Sequence, residues 1–290
     1  MKAAGDPAAA WLRAVLGHEG APKTPDEVAR RDWFIRVIGA GAAEVSPELA
    51  ADIMALYGLA PAEDIAARLG PVAVRAASRA RVVSAPTGLR HRAAAGDVVV
   101  ERQRLAYARF FAVEEYDVAW RRFDGAMSEA VTRAAFISGD AVTVVPYDPV
   151  RDLVLVVEQF RVGPLARGDG QCWQIEAVAG RVDPGETPEA AARREAVEEA
   201  GLVLQGLVEV ARYYPSPGAV SEYLYSYVAL CDLPDGVAGV FGVAEEAEDI
   251  RTHVIGFARL LELVASGEIE NAPLILTALW LQRERGRLRG

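Results

Sequence analysis

Residues 180–202 read GRVDPGETPEAAARREAVEEAGL, and no other stretch restricts the chain so tightly. Asp183-Pro184-Gly185 is a turn signal, Thr187 is suited to cap a helix, and Pro188 fits a first helical position, where its missing N–H is not needed. Gly201 stands where a helix ends in a left-handed residue. The spacing predicts a loop feeding a helix over Pro188–Ala200. At about 100° per residue, Glu195, Glu198 and Glu199 fall within about one third of the helix circumference. Carboxylates crowded in this way repel one another unless a cation sits among them. The stretch is either a solvated acidic face or a set of hard oxygen ligands, of the kind Mg²⁺ or Mn²⁺ takes together with water and phosphate. The apolar residues of this helix are mostly alanines. That gives little sign of a stripe built only for packing, and it favours the ligand reading.

A chain of 290 residues can bury a large core in one or two domains. Its net charge of −10 argues against a general nucleic-acid or acidic-membrane binder. A site for an anionic substrate must then be built locally, from arginines and a metal. Cys172 and Cys231 are too few for a disulfide framework and read as reduced thiols. His18, His91 and His253 lack ligand spacing, which speaks against a zinc site or a Ser-His-Asp triad. No stretch approaches the length of a membrane span and the N-terminus lacks a signal-peptide pattern, so the expected location is the cytoplasm.

Before the central stretch the texture changes once. Residues 1–92 are Ala-rich, with candidate helices at Ala8–Leu16, Thr24–Ile38, Pro47–Tyr57, Pro61–Leu69 and Val72–Val82, punctuated by Thr24-Pro25, Ser46-Pro47, Gly58 and Gly70-Pro71. They read as a helical extension with no metal spacing, phosphate loop or nucleophile constellation. Ser84–Gly96 is the best linker candidate. From Asp97 onward, β-branched runs predict strands at Asp97–Arg102, Phe110–Trp120, Ala141–Tyr147, Leu153–Gln159, Gln174–Val178, Val208–Tyr214, Tyr223–Leu230 and Arg251–Ile255. Helices are predicted at Phe257–Ser266 and Ala272–Glu284. This order predicts an α+β fold, an α/β/α sandwich with mixed β-sheets over 93–290, preceded by a mainly α-helical domain over 1–92.

Gly180, Glu186, Arg194-Glu195, Glu198-Glu199, Gly201 and Leu202 together resemble the signature box of the Nudix hydrolases. That box runs glycine-x5-Glu-x7-Arg-Glu-aliphatic-x-Glu-Glu-x-Gly-aliphatic. Ala196 departs from it only in size, standing where the family has a larger aliphatic residue. Around the box, Glu158-Gln159-Phe160-Arg161, Glu176-Ala177-Val178-Ala179-Gly180 and Ser216-Pro217-Gly218 resemble the ADP-ribose pyrophosphatase group. The likeness runs from about Asp97 to about Arg287 and leaves the N-terminal helices uncovered.

The resemblance implies divalent-metal-dependent hydrolysis of ADP-ribose to AMP and ribose 5-phosphate, with Mg²⁺ or Mn²⁺ as cofactor. It puts metal ligation on Glu195, Glu199, Glu248 and the carbonyl of Ala179, with Glu198 in support. Within Glu245-Glu246-Ala247-Glu248 it makes Glu246 the catalytic base. Arg194 either fixes the glutamates as an ion pair or contacts substrate. Arg161 and Arg133 are implied to bind the phosphate and ribose side, Phe110 to stack on adenine, and Glu222 to support substrate or structure. The group exchanges its N-terminal strands, here Asp97–Gly125, between subunits of a homodimer, so Phe110 and Arg133 are expected to act across that interface. Other nucleoside diphosphate sugars remain as substrates, and a non-catalytic ADP-ribose sensor is the reading from another class. Nucleic-acid and membrane partners are not expected.

Overall fold

Among the described residues, four helices begin on a side-chain cap, from Thr24, Ser46, Thr187 and Asn271. In this computed structural model, which describes residues 11–18, 20–39, 45–83, 85–243 and 248–290, helix α1 spans Leu12–Leu16. The start expected at Ala8 falls outside the described residues. Helix α2 (Pro25–Ile38) opens on a reciprocal pair: the Glu27 N–H donates to the Thr24 hydroxyl, and the Thr24 N–H donates to the Glu27 carboxylate. Ser46 caps α3 (Pro47–Met54), which is followed by α4 (Ala62–Ala66) and α5 (Leu69–Ala80). Gly70-Pro71, expected to stop a helix, instead lies in the first turn of α5. A proline there costs nothing in hydrogen bonds, because first-turn N–H groups have no partner within the helix.

The chain divides into two compact units, Met1–Gly139 with Ser216–Ser221, and Asp140–Pro215 with Glu222–Gly290. In the first, Trp11, Phe34, Val37, Ile53, Ile65 and Val72 form a buried cluster, and Trp11 stacks on Phe34 with ring centroids 4.9 Å apart. The unit also holds an antiparallel sheet of β1 (Val98–Ala108), β2 (Ala112–Trp120) and β3 (Val131–Ile137), in that order. Leu105 and Ala108 of β1 pack against the helical cluster. Strand β3 has no clean alternation, and pairing with β2, from Val113↔Phe136 to Val118↔Val131, makes it a strand. The turn at Ser216-Pro217-Gly218 leads into residues that pair with β3, as Phe136 donates to the Ala219 carbonyl at 2.8 Å.

The second unit is built on an eight-stranded mixed sheet. Its strands are β4 (Asp140–Asp148), β5 (Leu153–Phe160), β6 (Trp173–Glu176), β7 (Val178–Arg181), β8 (Gly206–Tyr213), β9 (Tyr223–Leu230), β10 (Val240–Phe241) and β11 (Ile250–Gly256). The main path is β10-β11-β5-β4-β9-β8, in which only β4 and β9 run parallel. Strands β4 and β5 pair only at Tyr147↔Val154 and Asp148↔Leu153 before they part. The gap is filled by β6 on β5 and by β7 on β4. One predicted strand over Gln174–Val178 is therefore two, broken at Ala177, because each half belongs to a different neighbour.

A short helix α6 (Val162–Arg167) precedes β6, helix α7 (Pro188–Ala200) follows β7, and α8 (Phe257–Ser266) and α9 (Ala272–Leu288) follow β11. Helix α7 packs on one face of the sheet, where Val142, Val144, Leu155, Val157 and Val178 meet Ala191, Ala192, Ala196 and Ala200. Helices α8 and α9 cover the other face, against Val145, Tyr147, Val154 and Val156. This is the expected α/β/α sandwich. The alanines of α7, which at sequence level gave little sign of a packing stripe, are the packing face: all four are fully buried. No helix among the described residues is long and apolar enough to cross a membrane.

Candidate active site

Helix α7 begins and ends as its local sequence demands. The Thr187 hydroxyl accepts the Ala190 N–H at 3.2 Å, and Gly201 closes the helix in the left-handed region at φ 63°. The pattern of burial over 191, 192, 195, 196, 199 and 200 then turns two carboxylates inward with the alanines. Glu195 and Glu199 face the sheet, and Glu198 lies on the half-exposed flank.

The inward pair leans on β7. The Ala179 N–H donates to Glu199 Oε2 at 3.1 Å. In an extended strand a residue's N–H and C=O leave on the same side, so the Ala179 carbonyl shares that edge. Gly180 is required by the approach of Glu195: a Cβ there would stand 1.8 Å from Oε1 and 2.0 Å from Cδ. Arg194 binds the rest of the box into one network. It donates to Glu186 through Nε and Nη2, each at 3.2 Å, to Glu195 at 2.7 Å, to Glu198 at 2.9 Å and to the Arg181 carbonyl at 2.9 Å. Burial works against the Arg194 charge, but hydrogen bonds to Glu186 and the Glu195 charge outweigh it and hold the guanidinium firmly protonated. Of the two roles open to Arg194, the ion-pair role is the one this geometry displays.

Burial pushes the Glu195 carboxyl up to about 7, with Arg194 pulling the other way and Glu198 and Glu248 adding repulsion. Burial likewise pushes Glu199 up to about 8, opposed by the Ala179 N–H and reinforced by Glu195 and Glu248. Glu248 therefore lies in the field of both. Its main-chain N–H donates to the Val243 carbonyl at 3.3 Å, and its carboxylate accepts the Val243 N–H at 3.2 Å. Glu245 and Glu246, the latter expected as the base, lie outside the described residues.

Arg161 stands at the end of β5. Burial lowers its affinity for the proton, but the Glu176 charge, then Glu199 and Glu248, keep it above the ordinary range. Arg181 is also partly buried, and burial pulls it below its ordinary range against the charges of Glu222 and Asp183. Glu222 thus sits beside a box arginine. Phe110 and Arg133 belong to the first unit. Phe110 is exposed and meets Phe111 edge-on at 4.8 Å, and Arg133 lies over the Trp120 ring at 5.9 Å.

Among the described residues, no group of three or more His, Cys, Asp or Glu side chains is preset around a single metal position. The residues nevertheless fit a divalent cation by their chemistry. Two inward carboxylates hold protons near neutrality, and a glycine leaves the space that Glu195 occupies. Hard oxygen donors that share a main-chain edge suit an ion that keeps positions open for water and phosphate. Sequence reading did not single out Glu176 as the partner of Arg161, or Asn271 as the partner of Glu176. Glu176 falls within the motif preceding Gly180, but nothing local signals what it holds.

A NUDIX domain pattern matches residues 138–274. The chain is 38% identical over 186 residues to the ADP-ribose pyrophosphatase of Escherichia coli (strain K12), which covers 64% of this chain and 88% of that protein. It is 32% identical over 194 residues to the ADP-ribose pyrophosphatase of Haemophilus influenzae, covering 66% and 89%. It is 33% identical over 150 residues to the GDP-mannose pyrophosphatase of Salmonella choleraesuis, covering 52% and 77%. A solved structure described as an ADP compounds hydrolase shares the fold with a TM-score of 0.50 at 22% identity, over 67% of this chain and 97% of that one.

Proposed function

The chain belongs to the Nudix hydrolase family, and from that premise we propose that it hydrolyses the diphosphate bond of ADP-ribose to AMP and ribose 5-phosphate. The observation that carries the reading is the inward pair Glu195 and Glu199, lodged against Ala179-Gly180 beside Arg161. ADP-ribose is favoured over GDP-mannose because the match to the ADP-ribose pyrophosphatase of Escherichia coli (strain K12) spans 88% of that protein, against 77% for the GDP-mannose enzyme.

Glu195, Glu199, Glu248 and the Ala179 carbonyl would hold Mg²⁺ or Mn²⁺. When bound, the ion neutralises diphosphate oxygens and lowers the pKa of water. Glu246 takes a proton from the attacking water as its oxygen bonds one phosphorus and the bridging P–O bond breaks. Arg161 donates N–H groups to the diphosphate, where a guanidinium fork matches phosphate oxygens. Arg194 and Glu198 keep the ligand carboxylates oriented. Phe110 offers a ring face to adenine, and Arg133 and Glu222 support the substrate. The site is completed in a homodimer that exchanges the strands of Asp97–Gly125, and the enzyme works in the cytoplasm.

The test is product release from ADP-ribose, GDP-mannose, UDP-glucose, NADH and a diadenosine polyphosphate, each with Mg²⁺ and with EDTA. Metal-dependent AMP formation, fastest with ADP-ribose, is the expected result. Preference for another substrate keeps the chemistry and discards the sugar assignment. Tight ADP-ribose binding without turnover would establish a sensor instead.

A further inference from the structure

Glu176 is the last residue of β6, where the chain leaves β5 and crosses toward β7. The residue is only 7% exposed, and both carboxylate oxygens are engaged. Oε2 accepts Arg161 Nε at 2.9 Å and Nη2 at 2.6 Å, with Gln159 Nε2 at 3.4 Å. Oε1 accepts Asn271 Nδ2 at 3.1 Å. Asn271 is itself held, because its Oδ1 caps α9 by accepting the Leu274 N–H at 3.0 Å. A buried carboxylate with this many donors is fixed in place.

The guanidinium of Arg161 is planar and rigid, so pinning two of its nitrogens on one oxygen sets the direction of the third. Among the described residues, Nη1 has no hydrogen-bond partner. The same guanidinium lies in the field of Glu199 and Glu248. Unpinned, it would be drawn onto those carboxylates and away from an incoming diphosphate.

We propose that Glu176, held by Asn271 at the N-terminus of α9, is a positioning residue that aims Arg161 at the diphosphate. This rests on the role given to Arg161 under the proposed function. Glu176 itself touches neither substrate nor metal.

The experiment is a double-mutant cycle in the full chain, with kcat and KM for ADP-ribose measured for Glu176→Gln, Arg161→Ala and the double variant. Glu176→Gln should lower kcat/KM by about 10-fold or more, with its melting temperature near that of the unmodified chain. In the Arg161→Ala background the same change should cost less than about 2-fold, because the residue it acts through is already gone. Asn271→Asp supplies a second route. It keeps an oxygen to cap α9 but turns a donor into an oxygen facing Glu176, and it should also lower kcat/KM. Equal losses in both backgrounds, or unchanged kinetics in Glu176→Gln and Asn271→Asp, would overturn the assignment alone. No turnover by the unmodified chain would overturn the function reading and this assignment with it.

Discussion

A carboxylate buried against a strand either keeps its proton or gives way to a cation. Glu199 keeps its proton up to about 8 in the folded chain against an ordinary 4.5. Between those values the unfolded chain releases the proton first, so folding stability falls as pH rises and levels off above about 8. The metal-free chain should therefore melt at progressively lower temperature from about pH 5 to pH 8. Added Mg²⁺ should restore more at pH 8 than at pH 6, because the cation replaces protons. Calorimetry with and without EDTA checks both. Glu199→Gln should flatten the metal-free profile and lower kcat by about 10²-fold or more. An unchanged kcat would sink the metal assignment. Gly180→Ala places a methyl carbon 1.8 Å from the present position of Glu195 Oε1, so the carboxylate must move. It should cost about 10²-fold in kcat/KM, the penalty of misplacing a catalytic group by about 1 Å, while circular dichroism stays unchanged.

At the scale of the element, α7 does two jobs with one face. Alanines bring its axis close to the sheet, and that closeness lets Glu195 and Glu199 reach β7. A larger side chain in this layer must push the helix outward. Ala192→Leu, at a fully buried position, should destabilise the chain by about 1–3 kcal/mol through overpacking. It should also lower turnover by more than the unfolded fraction explains, measured by urea titration beside initial rates. Ala196 is buried in the same layer, which accounts for a small residue where the box has a larger aliphatic one. Turn and cap residues around α7 were legible because they act within one to four positions of each other.

At the scale of the whole molecule, the helical extension shares a unit with β1, β2 and β3. Arg79 of α5 links Asp52 of α3 to Glu114 of β2, and Gln103 of β1 donates to the same glutamate at 3.0 Å. Both carboxylates are largely buried. Arg79→Met would remove the cation hydrogen-bonded to both and should destabilise the first unit by on the order of 2–3 kcal/mol, below the full cost of a wholly buried pair because Arg79 is part exposed and Gln103 and Arg75 still act on Glu114 and Asp52. Hydrogen exchange along α5 and β2 would report it. Unaltered protection there would show that apolar packing around Leu105 and Ala108 alone holds the helices to the strands.

The sequence alone determined what is local. The limits Pro188–Ala200, the cap at Thr187, the left-handed end at Gly201 and the crowding of three glutamates all follow from neighbours in the chain and appear as read. The sandwich followed from the order and period of its elements. Tertiary structure decided what depends on which strands meet. Strands β4 and β5 part and admit β6 and β7, which splits one predicted strand in two and seats Gly180 beneath Glu195. Arg161 finds Glu176 across 15 residues, and Glu176 finds Asn271 across 95. No periodicity carries information over such separations, because those hydrogen bonds form only after sheet order and helix packing have brought the partners within reach.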